Sequence, residues 1–138
     1  MKLVLDSWIL LAWLKQQEPG ASMMADLWEQ AFRRERKLMA NIINLGEVFD
    51  LTAKARDLAS ADRVMANLRV RPLEFLSVPD ALVLEAARIK ARFPVSYADA
   101  FAAATAARSG CPLVTGDPEM RQIEAAGLVE LKWAGEPG

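Results

Sequence analysis

Histidine is absent from this 138-residue chain, and cysteine occurs once, as Cys111. The first absence removes imidazole acid–base catalysis, Ser-His-Asp and Cys-His nucleophile systems, and any His-ligated metal. The second removes an intramolecular disulfide and a multi-cysteine zinc site. Excess positive charge is missing too: 17 Lys and Arg stand against 18 Asp and Glu, for a net charge of −1 and a pI near 5.5. No global field draws in a polyanion, which argues against a simple basic nucleic-acid module. Long hydrophobic runs are also missing. The apolar stretch Trp8–Leu14 is too short to span a bilayer and has no small-residue cleavage site after it. No membrane segment is expected, and the cytoplasm is the expected location. Chemistry must then come from carboxylates, hydroxyls, Lys or Arg, or a metal held through oxygen.

What is present suits one domain over residues 1–138, with a fraying end at "AGEPG" (Ala134–Gly138). Hydrophobic residues make up 53% and mean hydropathy is +0.10, with four Trp and six Met, so some apolar surface is available for a partner. Short apolar runs predict strands at Lys2–Leu5, Lys37–Ala40, Pro72–Val78, Pro112–Asp117 and Leu128–Leu131. Between them the spacing predicts helices over Ser7–Gln17, from Ser22 with Met23, Leu27, Ala31 and Phe32 inward, and from Asn41 or Asn44 toward Arg56. Further helices are predicted over Ala59–Leu68, Asp80–Arg92 with Leu82, Val83, Ala86 and Ile89 inward, Ser96–Arg108, and Pro118–Ala126. Strands alternating with helices imply a parallel sheet covered on both faces, an α/β fold.

Four acids fall at junctions of these elements. Asp6 follows the first strand, Asp117 follows the fourth, Asp99 lies in the first turn of an alanine-rich helix, and Glu47 lies early in the helix after the second strand. In a parallel sheet the carboxyl ends of the strands surround a crevice where strand order switches, so the four can meet there. Clustered carboxylates repel unless a cation holds them, and a hard ion such as Mg²⁺ or Mn²⁺ is the consistent choice. Each acid also has a structural explanation. Asp117-Pro118 is an ordinary helix start, Ser96 to Asp99 resembles a capping box, and Asp6 can cap the next helix. Glu47 has that explanation only if Asn44 is the cap; an Asn41 cap puts it in the second turn.

The segments "KLVLDS", "NLGEVF", "SYADAFAAATA" and "LVTGDPEM" resemble, in order and spacing, the four signature segments of the PIN-domain family, above all its VapC-type toxins. The resemblance implies a PIN-like three-layer fold, with a short, mostly parallel sheet of about four to five strands flanked by helices on both faces. It also implies a Mg²⁺-dependent endoribonuclease, with Mn²⁺ as a substitute ion, forming the toxin of a toxin–antitoxin pair with a VapB-like antitoxin. Asp6, Glu47, Asp99 and Asp117 would be its metal-binding acids and Thr115 its supporting hydroxyl. RNA, tRNA among the candidates, would be hydrolysed to 5′-phosphate and 3′-hydroxyl ends by metal-activated water. Trp8 stands where a small residue is frequent, and Asn41 where Ser or Thr is commoner; neither is one of the acids.

Substrate contact would need local positive charge. Arg33, Arg34, Arg36 and Lys37 form the densest cluster, and residues 54–92 hold eight Lys and Arg against five Asp and Glu. Trp8, Trp13, Met23, Met24 and Trp28 on the first two helices are candidates for an antitoxin groove or a homodimer contact, although core packing accounts for such residues too. The alternatives are a catalytically silent PIN-like interaction module, which predicts lost acids, and a receiver-like phosphotransfer domain, which needs a late lysine that only Lys132 could supply. A dehalogenase-like phosphatase would want Asp-x-Asp where this chain has Asp6-Ser7-Trp8.

Overall fold

Successive buried residues of the strands at Lys2–Leu5, Lys37–Asn41 and Leu113–Thr115 enter two different cores, as a sheet covered on both faces requires. Leu3, Leu5, Leu38, Ala40 and Val114 enter one apolar core, whereas Val4, Met39 and Leu113 enter the other. The computed structural model describes residues 1–137. Strands β1 (Lys2–Leu5), β2 (Lys37–Asn41), β3 (Leu73–Leu76), β4 (Leu113–Thr115) and β5 (Leu131–Trp133) form one sheet in the order β3-β2-β1-β4-β5. All pairings are parallel. Helices α1 (Ser7–Leu14), α2 (Gly20–Phe32), α3 (Ile42–Ala55) and α4 (Leu58–Arg69) build the first core; α5 (Asp80–Arg92), α6 (Tyr97–Ser109) and α7 (Arg121–Ala125) build the second. The three layers and the parallel sheet agree with the expected class. No helix among the described residues is long and apolar enough to cross a membrane.

Several boundaries and faces differ from expectation. Helix α1 ends at Leu14 and α2 begins at Gly20. The last strand is Leu131–Trp133 and not Leu128–Leu131, because Gly127 (φ 79°) and Leu128 close α7 by donating to Glu124 O and Ile123 O. That reciprocal cap consumes Leu128 before the strand can start. Phe32 is 80% exposed and Val83 37% exposed, both against expectation. α2 points Met24, Leu27, Trp28 and Ala31 inward, a stripe that excludes Phe32, while α5 points Leu82, Ala86 and Ile89. Ala134 and Gly135, in the segment expected to fray, are buried, and the Ala134 N–H donates to Thr115 O; Gly138 lies outside the described residues.

Strand order reverses at β1, whose two neighbours are β2 and β4, so the carboxyl ends of β1 and β4 flank the crevice of the sheet. Helix α6 covers that point. It is buried without interruption from Asp99 to Ala106, five of those residues being alanine, and so lies in close contact with the sheet. A helix apolar on every side is a core helix, and alanine gives it both high propensity and a thin profile.

Candidate active site

Asp6 leaves β1 fully buried and caps α1, its Oδ1 accepting from the Ile9 N–H at 3.0 Å. Its Oδ2 has no hydrogen-bond partner. Burial drives this carboxyl up to about 7, against the Thr115 hydroxyl and the Ile9 N–H, which favour the charged form; Asp117 and Glu47 add repulsion. Asp99 follows Ser96, whose hydroxyl caps α6 by accepting from the Asp99 N–H. Asp99 as a residue is 6% exposed, and its carboxyl is pushed up to about 8 by burial, then by the charge of Asp117 and a shared hydrogen bond with it, then by Asp6 and Glu47. Asp6 and Asp99 thus each feel the charges of Asp117 and Glu47, acids that come from two other segments.

Asp117 and Glu47 complete the group. The Asp117 N–H donates to the Thr115 hydroxyl, and its carboxylate caps the 3₁₀ turn Pro118–Met120 by accepting from the Glu119 N–H. Asn41 caps α3, accepting from the Asn44 N–H, so Glu47 lies in the second turn with no capping duty. Its carboxylate instead accepts a hydrogen bond from the buried Ser7 hydroxyl. Ser7 was not among the predicted site residues, although its place directly after a strand-end acid was the available signal. Glu119 was also missed: its carboxylate lies with those of Asp99 and Asp117 within 4.8 Å. Asn44 acts from α3 as a clamp, donating through Nδ2 to Ala98 O one residue before Asp99.

The donor set fits a hard divalent cation. Every available donor is oxygen, one buried carboxylate oxygen is unpartnered, two carboxyls resist ionisation, and no Lys or Arg forms an ion pair with any of these acids among the described residues. Asp99, Asp117 and Glu119, whose carboxylate oxygens lie within 4.8 Å of one another, are the group that could hold it, with Asp6 and Glu47 close enough to repel Asp99.

Trp8 reaches this site through backbone. Its indole lies on Gly116, between Thr115 and Asp117, so closely that any Cβ there would collide with the ring, and Gly20 meets the same ring from α2. The bulky residue after Asp6-Ser7 therefore fixes the backbone carrying Asp117.

The other predicted groups lie elsewhere. Arg33, Arg34, Arg36 and Lys37 precede or begin β2, at the amino edge of a parallel sheet whose carboxyl edge carries the acids. Arg33 pairs with Glu29 and Lys37 with Glu74, and Arg36 bonds to Gln30. This cluster is therefore no part of the carboxylate site. Met24 and Trp28 are core residues, 0% and 6% exposed, so they do not form a partner surface; Trp8, Trp13 and Met23 are partly buried against the same core. Trp13 and Trp28 meet edge to face, and the Arg71 guanidinium covers both rings. An open groove of about 420 Å³ lies nearby, its lining including Leu11, Leu14, Leu51 and Val64 together with Lys15, Arg56 and Arg63.

Comparison with known proteins bears on this geometry. The family described as PIN domain matches residues 3–126. No curated protein sequence matches the chain. Among solved structures, a chain of the VapBC2 complex of Rickettsia felis, bound to a DNA fragment from its promoter, superimposes with a TM-score of 0.76 at 14% identity, covering 97% of this chain and 99% of that one. VapC20 of Mycobacterium tuberculosis, described as a sarcin-ricin loop cleaving toxin, gives 0.72 at 19% identity, with 94% and 98% covered. PAE2754 of Pyrobaculum aerophilum gives 0.63 at 25% identity, with 87% and 82% covered. At the identities of the first two, the likeness is one of fold.

Proposed function

This chain belongs to the PIN-domain family, and we propose that it is a divalent-metal-dependent endoribonuclease of the VapC type, the toxin of a pair with a VapB-like antitoxin. The observation that carries this reading is the convergence of Asp6, Glu47, Asp99 and Asp117, with Glu119, on one crevice where no Lys or Arg among the described residues pairs with them. Mg²⁺, or Mn²⁺ in its place, would supply positive charge against the scissile phosphate and make water acidic enough to attack it near neutral pH.

The chain's own groups do the rest. Asp6 offers Oδ2 from a rigid cap, and α6 fixes Asp99 against the sheet. Ser7 orients Glu47, and Thr115 secures the Asp117 backbone while facing Asp6. Such outer contacts aim ligands and keep them charged. Attack in line with the departing 3′ oxygen leaves 5′-phosphate and 3′-hydroxyl ends. Without histidine, imidazole assistance to an internal 2′-hydroxyl is absent. Cytoplasmic RNA, tRNA among the candidates, is the substrate class in this reading. The apolar groove of α1, α3 and α4 supports the antitoxin and homodimer parts of it. An interaction module without catalysis is disfavoured, since none of the four acids has been lost.

The test is cleavage of a mixed RNA pool by the purified chain. EDTA should abolish it, and Asp6→Asn and Asp99→Asn should each lower the rate at least ~100-fold, no less than the loss of an outer partner of a metal ligand. Cleavage that persists in EDTA, or at wild-type rate in both variants, overturns the assignment.

A further inference from the structure

The site needs a cation to meet a polyanion, and the basic cluster expected to do so lies at the wrong edge of the sheet. One arginine lies at the right one. Arg121 begins α7, four residues after Asp117, and its guanidinium lies over the indole of Trp133, with Cζ 3.8 Å from the ring centroid. Trp133 ends β5 and is in register with Thr115 of β4. Register neighbours in a parallel sheet share a face, and Leu113 and Leu131, two residues earlier on each strand, both pack into the core under α6. The Leu5–Val114 pairing carries the same row on to Asp6. Asp6, Thr115 and Trp133 therefore stand side by side on the face that α6 covers. At the usual strand spacing, Trp133 is about 10 Å from Asp6 and about 5 Å from Thr115.

The stack is also anchored and free. The Trp133 indole N–H donates to Glu136 O at 2.9 Å, which holds the ring. Arg121 is exposed and forms no ion pair or side-chain hydrogen bond among the described residues. A guanidinium held over an aromatic ring keeps N–H groups available for the oxygens of a phosphate, with less conformational entropy left to lose.

We propose that Arg121, positioned by Trp133, binds a backbone phosphate of the RNA strand next to the one held over the carboxylates. The proposal rests on the ribonuclease reading and adds to it the residue that places the strand. Arg121 contributes charge and planarity, Trp133 the platform, and the β4–β5 register the distance to the acids.

The experiment measures binding of a fluorescein-labelled, mixed-sequence single-stranded RNA by anisotropy across a salt series, in the parent chain with all its acids intact and Ca²⁺, another hard oxygen-binding ion, in place of Mg²⁺ to suppress cleavage. R121Q should weaken binding about tenfold, as expected for one charge-assisted contact. It should also reduce the magnitude of the slope of log Kobs against log salt by about 0.7, the value for one phosphate of a single strand. R121K should keep the slope while losing part of the affinity, since lysine has the charge without the flat fork. Melting temperature and Mn²⁺ affinity should match the parent in both variants. Equal affinity and slope in R121Q and its parent overturn the proposal and leave the ribonuclease reading intact. A parent that binds no RNA at any salt overturns both.

Discussion

Ser7 is a small residue with a large lever. Buried at the first position of α1, it donates its hydroxyl to Glu47, a side chain from a helix forty residues later. Ser7→Ala should leave Glu47 unoriented and weaken Mn²⁺ binding by about 10- to 100-fold, the usual cost of losing a partner of a metal ligand. Titration calorimetry reads this directly, and Ser7→Thr, which keeps the hydroxyl, should retain most of the affinity. Equal affinity in Ser7→Ala and wild type would remove Ser7 from the site. At this scale the strand-end positions of Asp6 and Asp117 were legible, because short apolar runs mark the strands that they follow. Glu119 was not. It lies two residues past Asp117 in a turn where an acid is ordinary, and only the meeting with Asp99 distinguishes it.

Helix α6 shows what an element contributes beyond its residues. Ala100, Ala102, Ala103, Ala104 and Ala106 are all at most 2% exposed, leaving no room for a larger side chain. Ala102→Leu should cost about 1–3 kcal/mol by overpacking, measured by urea unfolding, and should depress cleavage more than stability accounts for by moving Asp99. A variant as stable and as active as wild type would refute the close packing. The alanine run predicted the helix well, since alanine is the strongest helix former. Its burial on every side was not visible, because a run of small residues has little amphipathic contrast. The choice of cap for α3 was equally open in the sequence. Asn41 and Asn44 are both competent, and Asn41 prevails where its side chain bonds both the Asn44 N–H and, through Nδ2, Thr105 of α6. That second, tertiary bond deprived Glu47 of its local explanation.

For the whole molecule, the raised carboxyls couple folding to pH and metal. Asp6 at about 7 and Asp99 at about 8 are well above the unfolded value of 3.8. Their contribution to stability is therefore complete below about pH 3.8 and is lost as pH rises through the folded values. In EDTA the melting temperature should fall between about pH 5 and about pH 8.5. Mg²⁺ should reverse this, with a larger gain at the higher pH, because binding requires the ionised forms. At a hundredfold excess over Kd the gain is about 2.7 kcal/mol, or several degrees for a chain of this size. A melting temperature that rises with pH in EDTA, or a Mg²⁺ effect largest in acid, would contradict this coupling.

What the sequence determined by itself was local: the alternation of strands and helices, the strand-end positions of Asp6 and Asp117, and the helix that carries Asp99. These follow from apolar periodicity, caps and turn residues, which act within a few positions. What only the tertiary structure decided was which separate groups face each other. Strand order put β1 beside β4 and so Asp6 beside Thr115, within reach of the Asp117 charge, and parallel pairing sent Arg33–Lys37 to the opposite edge. The β4–β5 register then set Trp133, and Arg121 upon it, in the same row as the acids. Pairing and register depend on contacts between residues far apart in the chain, which local patterning does not encode.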